Sequence, residues 1–319
     1  MADFFLHTQL IEDLYEINPS YVHLDWAKLG AQGPDPIYFC LRYQKDAMDL
    51  ANDLHHKDIN SFLIAFTNYV KAKPSPELIA FYLGYIAHYV LDVTIHPYIY
   101  HFTGEYHPED PNTLKYRGLH LLFERGVDMD YIHNRYHIEP ELFHKKYRIL
   151  NLKKTPKMIE DMMQTLIQDV YKHEKGGLYY RIGHRTMHFI LDYGIVDRTG
   201  IKRLILKGID RLHPKSPLIL SSYPYRRRPY RYDYLNISHH EWKHPVTGET
   251  MTKSVLDLYQ DAKEKVQFLS NLLLEYLHDR NDLDLNTLFE NRSFNTGIDV
   301  SKPHKMTFFN PYRESKLKK

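Results

Sequence analysis

The sequence predicts an all-α protein, a multi-helix bundle with long loops. Three observations carry that prediction: apolar residues recur at helical spacing through most of the chain, strand-like alternation is sparse, and Gly and Pro concentrate in stretches that interrupt the periodic segments. With 319 residues, 43% apolar and 26% charged, the chain can bury a real core, and disordered, collagen-like and coiled-coil architectures are excluded.

The elements follow in order. Residues 3–16 place Phe4, Leu6 or His7, Leu10, Ile11 and Leu14 on one stripe, with Asp3 available as N-cap. Gly30 to Pro36 (GAQGPDP) must be a loop, because Gly and Pro at that density interrupt any regular element. Ser75-Pro76-Glu77 reads as a helix start, Ser as N-cap and Pro at the first helical position. The apolar pattern then runs to Ile95. Pro97 should end the helix, with His96 at or just past its C-terminus, since a residue before proline is pushed out of the helical region. Further helices are expected at about 113–133, 156–174, 177–194, 198–211 and 252–279 from the spacing of Leu, Ile, Met and Phe. From about 213 to 250 the chain turns Pro-, Tyr- and Arg-rich, which predicts irregular structure with at most a short hairpin at Val246-Thr247-Gly248.

Charge says little about partners. Forty-two Lys and Arg stand against 40 Asp and Glu, and a formal net charge of +2 gives no reason to expect nucleic acid or an anionic membrane as the main partner. The N-terminus has no basic n-region and its apolar residues are interrupted by Asp3, His7, Glu12 and Asp13, so it does not read as a secretory signal and a cytoplasmic protein is expected. The most apolar run, FYLGYIAHYVLDV from Phe81, carries His88 and Asp92 and is read as too short to span a membrane, so no transmembrane segment is expected. The single cysteine, Cys40, excludes intramolecular disulfides and paired-thiolate zinc sites. Any metal must therefore be held by nitrogen and oxygen, and 21 histidines make that the feature to follow.

The helix starting near Ser75 carries His88, Asp92 and His96 at intervals of four. Side chains at i and i+4 share a face, so His88 and Asp92 present a nitrogen and an oxygen to one cation. His96 lies roughly 12 Å along the axis from His88, too far for both to bind one metal through bonds of about 2 Å. Three ligand-type residues on one stripe therefore point to two adjacent metals. A second pair, His120 and Glu124 in RGLHLLFERG, repeats the spacing within an apolar segment, where a buried Glu and His need a partner such as a divalent cation. His96, His120 and Glu124 would make one such site. His88 and Asp92 need a third ligand, for which His7, Asp35 and the His55–His56 pair are candidates. His184 and His188 also stand four apart but are read as lacking a local carboxylate.

These segments, GYIAHYVLDVTIHPYI followed by GLHLLFE, resemble the zinc-dependent phospholipase C family, related to the bacterial phosphatidylcholine-preferring phospholipase C and the single-strand-specific zinc nucleases. The resemblance implies an all-helical body holding two to three zinc ions. His88 and Asp92 match the family's first H-x-x-x-D pair, His96 the His that follows, and His120 and Glu124 the second pair. His7 matches the N-terminal His, Asp35 the loop Asp, and His55 or His56 the remaining ligand, in the family's order along the chain. The secreted relatives bind one zinc through the amino group of an N-terminal Trp exposed by signal cleavage, and this chain has neither feature. Removal of Met1 would instead leave the Ala2 amine five residues before His7. The resemblance covers about residues 1–195, the expected zinc-binding core, and leaves 196–319 as a C-terminal extension packing on it.

What the resemblance implies about function is a zinc-dependent phosphodiester hydrolase, most like a phospholipase C. A zinc-activated water attacks, Asp35 serves as general base or bridging carboxylate, Asp92 bridges two zincs, and Glu124 is a ligand. The substrate is expected to be a phospholipid or another phosphodiester, with transient contact to a membrane surface. One alternative is a single-strand nuclease-like phosphodiesterase acting on nucleic acid, for which YPYRRRPYRYDY from Tyr223 has the composition. The other is a non-catalytic zinc-binding protein, motivated by the missing Trp amine.

Overall fold

The computed structural model describes residues 4–16, 23–107, 109–138, 149–197, 199–212, 220–224 and 232–312. Its α-helices are α1 (Phe4–Tyr15), α2 (Leu24–Gly30), α3 (Gln44–His56), α4 (Ile59–Ala72), α5 (Pro76–Thr103), α6 (Leu119–Tyr136), α7 (Lys157–Tyr171), α8 (Gly176–Phe189), α9 (Ile201–Leu212), α10 (Val255–Leu277) and α11 (Leu285–Leu288). The one sheet among the described residues is a hairpin in which β1 (Trp242–Lys243) runs antiparallel to β2 (Thr250–Met251), Trp242 opposite Met251. The expected all-α class holds, and the hairpin encloses the predicted turn.

α5 is the axis of the molecule, packed most extensively against α2 and α10. It starts as the sequence predicts, with Ser75 Oγ accepting from the Leu78 N–H at 3.1 Å and Pro76 following. It does not stop where predicted. The helix runs through Pro97 to Thr103. An interior proline costs about 3 kcal/mol. Beyond it Tyr98, Ile99 and Phe102 are buried, and at about 1.5–3 kcal/mol per large apolar side chain their burial outweighs that cost. The Val93 carbonyl, which an N–H at position 97 would have satisfied, is covered instead by Gly297. This residue sits at φ +65°, and a Cβ there would lie 2.8 Å from the Val93 oxygen. By length and composition α5 could cross a membrane, which corrects the reading that no run is long enough, but 83% of its most apolar window is buried inside this protein.

Other boundaries move for local reasons. The helix expected at 113–133 is a 3-10 turn over Pro111–Tyr116, a left-handed Gly118, and then α6. The Gly-Pro loop ends in a 3-10 turn over Asp35–Phe39. α2, α3, α4 and α11 were not anticipated, although α4 shows a plain stripe of Ile59, Phe62, Leu63, Phe66 and Val70.

Residues beyond 196 share the core. Tyr259 of α10 donates to buried Asp13 of α1 at 2.9 Å, and Arg135 of α6 pairs with the same carboxylate at 2.7 Å, tying three helices together. Near the end of the chain, the Asn310 and Tyr312 N–H groups bond the carbonyls of His101 and Phe102 at 2.7 and 2.8 Å, where the last turn of α5 leaves acceptors unused.

Candidate metal centre

Five elements converge on one buried cluster. α5 supplies His88, Asp92 and His96, α6 supplies His120 and Glu124, and His7, Asp35 and His55 come from α1, the 3-10 turn after α2, and α3. His7, Asp35, His55, His88, Asp92, His96 and Glu124 are all buried to 2% exposure or less, whereas the His120 side chain is 26% exposed, so the cluster meets solvent at that residue. α1 is set in place by Asp128, whose carboxylate accepts the Phe5 and Leu6 N–H groups at 3.1 and 3.2 Å. Asp128 is four residues beyond Glu124, so one α6 stripe offers the cluster two side chains and anchors the helix that carries His7.

The imidazoles are oriented from behind. The Nδ1 atoms of His55, His88 and His96 lie 2.7, 3.0 and 2.9 Å from the carbonyls of Ala51, Ala31 and Phe294. A carbonyl accepts only, so each Nδ1 carries the proton and each Nε2 directs its lone pair into the cluster. There His7 Nε2 lies 3.2 Å from Asp92 Oδ1, His88 Nε2 3.2 Å from Asp92 Oδ2, and His55 Nε2 3.2 Å from Asp35 Oδ1. His96 Nε2 is 3.5 Å from Asp92 Oδ1 and 3.4 Å from Glu124 Oε1, and His120 Nε2 is 2.9 Å from Glu124 Oε1. Among the described residues, ligand-type atoms within 4.8 Å of one another form three groups: His7 with Asp35 and His88, His55 with His88 and Asp92, and His96 with His120 and Glu124. Asp92 touches both ends of this chain of groups.

The donor set fits a divalent metal. Lone pairs and carboxylate oxygens facing one another at this range repel, and among the described residues the Nε2 atoms of His7, His88 and His96 find no hydrogen-bond partner. A tetrahedral ion with bonds of about 2.1 Å holds its ligand atoms about 3.4 Å apart, the separation found here. Three buried carboxylates also need positive charge nearby. Burial pushes the His7 and His96 pKa values below the usual imidazole range, leaving both rings in the neutral, ligating form. Burial also acts downward on His88, but Asp92 and Asp35 outweigh it and raise that ring. Burial alone would raise the Asp92 carboxyl, but the surrounding His96, His88 and His7 hold it well below its ordinary value.

Of the His55–His56 pair, His55 enters the cluster. His56 does not: its ring nitrogens meet Ser293 Oγ at 3.2 Å and Asn295 Nδ2 at 2.9 Å. The reason is helical phase, since His55 continues the buried stripe of Ala47, Leu50, Ala51 and Leu54 in α3, and His56 is turned away from it. Ala2 and most of the Tyr- and Arg-rich stretch, 225–231, lie outside the described residues. His184 is buried away from the cluster with Nδ1 2.8 Å from Thr155 Oγ1, and His188 does have a local carboxylate, Asp192, at 3.5 Å.

Sequence reasoning missed three supports. Asp128 was detectable as a third residue at i+4 spacing after His120 and Glu124. Gly33, at φ +52°, gives His88 its space, since a Cβ there would lie 2.1 Å from the imidazole Cδ2. Phe294 reaches His96 from 198 positions away in sequence. No local signal marks such a contact.

No curated protein and no solved structure matches the chain. A family model, that of zinc-dependent phospholipase C, matches residues 4–180, which contain every member of the cluster and more than half of the 319 residues. With its all-helical body and its buried nitrogen and oxygen ligands, the chain belongs to the zinc-dependent phospholipase C family.

Proposed function

We propose that the protein is a zinc-dependent phosphoric diester hydrolase that cleaves phospholipids by the phospholipase C reaction. The observation that carries this reading is Asp92, a buried carboxylate whose two oxygens face His7 and His96 on one side and His88 on the other. His7, Asp35, His55, His88 and Asp92 would hold zinc at one end and His96, His120 and Glu124 at the other. Zinc bound there supplies Lewis-acid polarisation of a phosphoryl oxygen and lowers the pKa of a water. The chain does the positioning. The carbonyls of Ala51, Ala31 and Phe294 fix the imidazole tautomers, and the Asp35 carboxylate takes the proton of the attacking water as general base. Substrate enters past His120, where the cluster meets solvent.

The test is zinc content per chain together with turnover of a chromogenic phosphodiester, phosphatidylcholine in mixed micelles and single-stranded DNA. Two to three zinc ions and turnover of the phospholipid are expected. Asp92→Asn removes a charge shared by both ends and should lower zinc content and reduce turnover at least roughly 100-fold. Preference for single-stranded DNA with steep salt dependence would favour the nuclease reading. One zinc or none, with no turnover after zinc loading, would leave a non-catalytic zinc protein.

A further inference from the structure

α9 is amphipathic, yet none of its residues is buried. Its sequence, IKRLILKGIDRL, places Ile201, Leu204, Ile205, Ile209 and Leu212 on one i, i+3, i+4 stripe. That stripe faces outward, with Ile201 60%, Leu204 71%, Ile205 60% and Leu212 78% exposed. Polar groups tie the helix to the segments that flank it in sequence. Asp197 accepts the Gly200 and Arg203 N–H groups at 3.0 and 2.8 Å, Lys202 donates to the Val196 carbonyl at 2.7 Å, and Asp210 accepts the N–H groups of Leu220 and Ser221 at 2.8 and 2.9 Å. Exposed Phe189 and Tyr193, their rings 5.0 Å apart, extend the apolar surface back to the end of α8, and Lys202 also donates to the Tyr193 carbonyl.

The same α8 surface continues into a basic cavity. One and two turns before Phe189, Arg185 and Arg181 line a cavity of about 710 Å³ together with Arg42, Lys153 and Lys154; no carboxylate is among the described lining residues, although Arg181 pairs with Glu160 at 2.9 Å. α9 itself adds the exposed cations Lys207 and Arg211.

We propose that this surface docks the protein on an anionic phospholipid bilayer, the α9 stripe with Phe189 and Tyr193 entering the acyl boundary and the basic cavity meeting the headgroups. The proposal rests on the phospholipid-hydrolase reading and names the surface by which that enzyme meets its substrate. An amphipathic helix of low net hydrophobicity with basic residues beside a broad aliphatic stripe suits the plane of a membrane interface. A second copy suits it less, because a two-fold contact through this face would bring each basic cavity toward its own image. Nucleic acid would use the cations but not the aliphatic stripe, since Leu and Ile offer no stacking surface.

The full-length, zinc-loaded protein is sedimented with vesicles of phosphatidylcholine alone and with about 30% phosphatidylserine. Binding to the anionic vesicles is expected, falling as salt rises from about 0.1 M to about 0.5 M. Leu204→Asp with Ile205→Asp, and separately Lys153→Glu with Lys154→Glu, should each weaken it roughly tenfold or more. Hydrolysis of a soluble chromogenic phosphodiester should stay at the parent level in both, which also reports that the variants fold. Equal binding to neutral and anionic vesicles, or undiminished binding by the Leu204/Ile205 variant, overturns the proposal. So does a parent dimer in sedimentation velocity that the same variant dissociates. Vesicle binding is read without turnover, so a protein that binds vesicles but hydrolyses nothing defeats the enzymatic reading and leaves the docking surface standing.

Discussion

At the scale of the residue, the centre depends on side chains whose partners are fixed and on one that is absent. His88 faces Asp92 through Nε2 only because Nδ1 is bound to the Ala31 carbonyl and because position 33 has no Cβ. Gly33→Ala would force an L-residue into left-handed backbone at a cost of about 1–2 kcal/mol and drive its methyl into the imidazole. The expected outcome is a zinc affinity at least roughly tenfold weaker, measured by competition with a chromophoric chelator. Parent-level affinity would show that this turn does not constrain His88. His88, Asp92, His96, His120 and Glu124 were legible, because the chemistry of His and carboxylate at i, i+4 spacing is local, whereas His7 and Asp35 carry no such spacing and were assigned by the resemblance. The choice between His55 and His56 stayed open, because it turns on the stripe Ala47, Leu50, Ala51 and Leu54 of α3, a helix that was not anticipated.

At the scale of the element, the segment around 293–297 acts as a brace. The Phe294 N–H bonds the His55 carbonyl at 3.1 Å, its carbonyl accepts from His96, and its ring lies 5.1 Å from His55, 5.8 Å from His88 and 5.1 Å from Tyr89. Ser293 and Asn295 hold His56, and Gly297 covers the carbonyl that Pro97 leaves without a donor. Phe294→Ala opens a cavity behind two imidazoles. A loss of about 3–5 kcal/mol in urea unfolding is expected, together with roughly tenfold to 100-fold weaker zinc binding as the rings loosen. Destabilisation with unchanged zinc affinity would reduce the brace to ordinary packing. None of this was legible. Ser75-Pro76 marks the start of α5 because capping is local, whereas its continuation past Pro97 depends on partners from the far end of the chain, which periodicity does not register.

At the scale of the whole molecule, totals conceal arrangement. A net charge of +2 gave no hint of five cations around one cavity, because carboxylates cancel them in the sum even though, of these five, Arg181 pairs with Glu160. The same holds for the buried cluster, which encloses the carboxylates of Asp35, Asp92 and Glu124 and therefore makes stability conditional on what neutralises them. Without metal, protons do part of that work. The His88 pKa is raised in the folded state, so its contribution is fully present below the unfolded value of about 6.5 and is lost as pH rises through the folded value. Protons also compete with metal for the imidazoles, so zinc binds more tightly as pH rises. Both effects have the same sign: the metal-free protein weakens on the alkaline side while the zinc-bound protein gains. Tight binding stabilises by RT ln(1 + [L]/Kd), about 4 kcal/mol at a thousandfold excess over Kd. The difference in Tm between zinc-loaded and chelator-treated protein should therefore be several degrees or more near pH 8 and smaller near pH 6. Scanning calorimetry at the two pH values reads it directly, and a Tm unmoved by chelator at both would mean that the buried carboxylates are neutralised within the fold and that the cluster does not need its metal to stand.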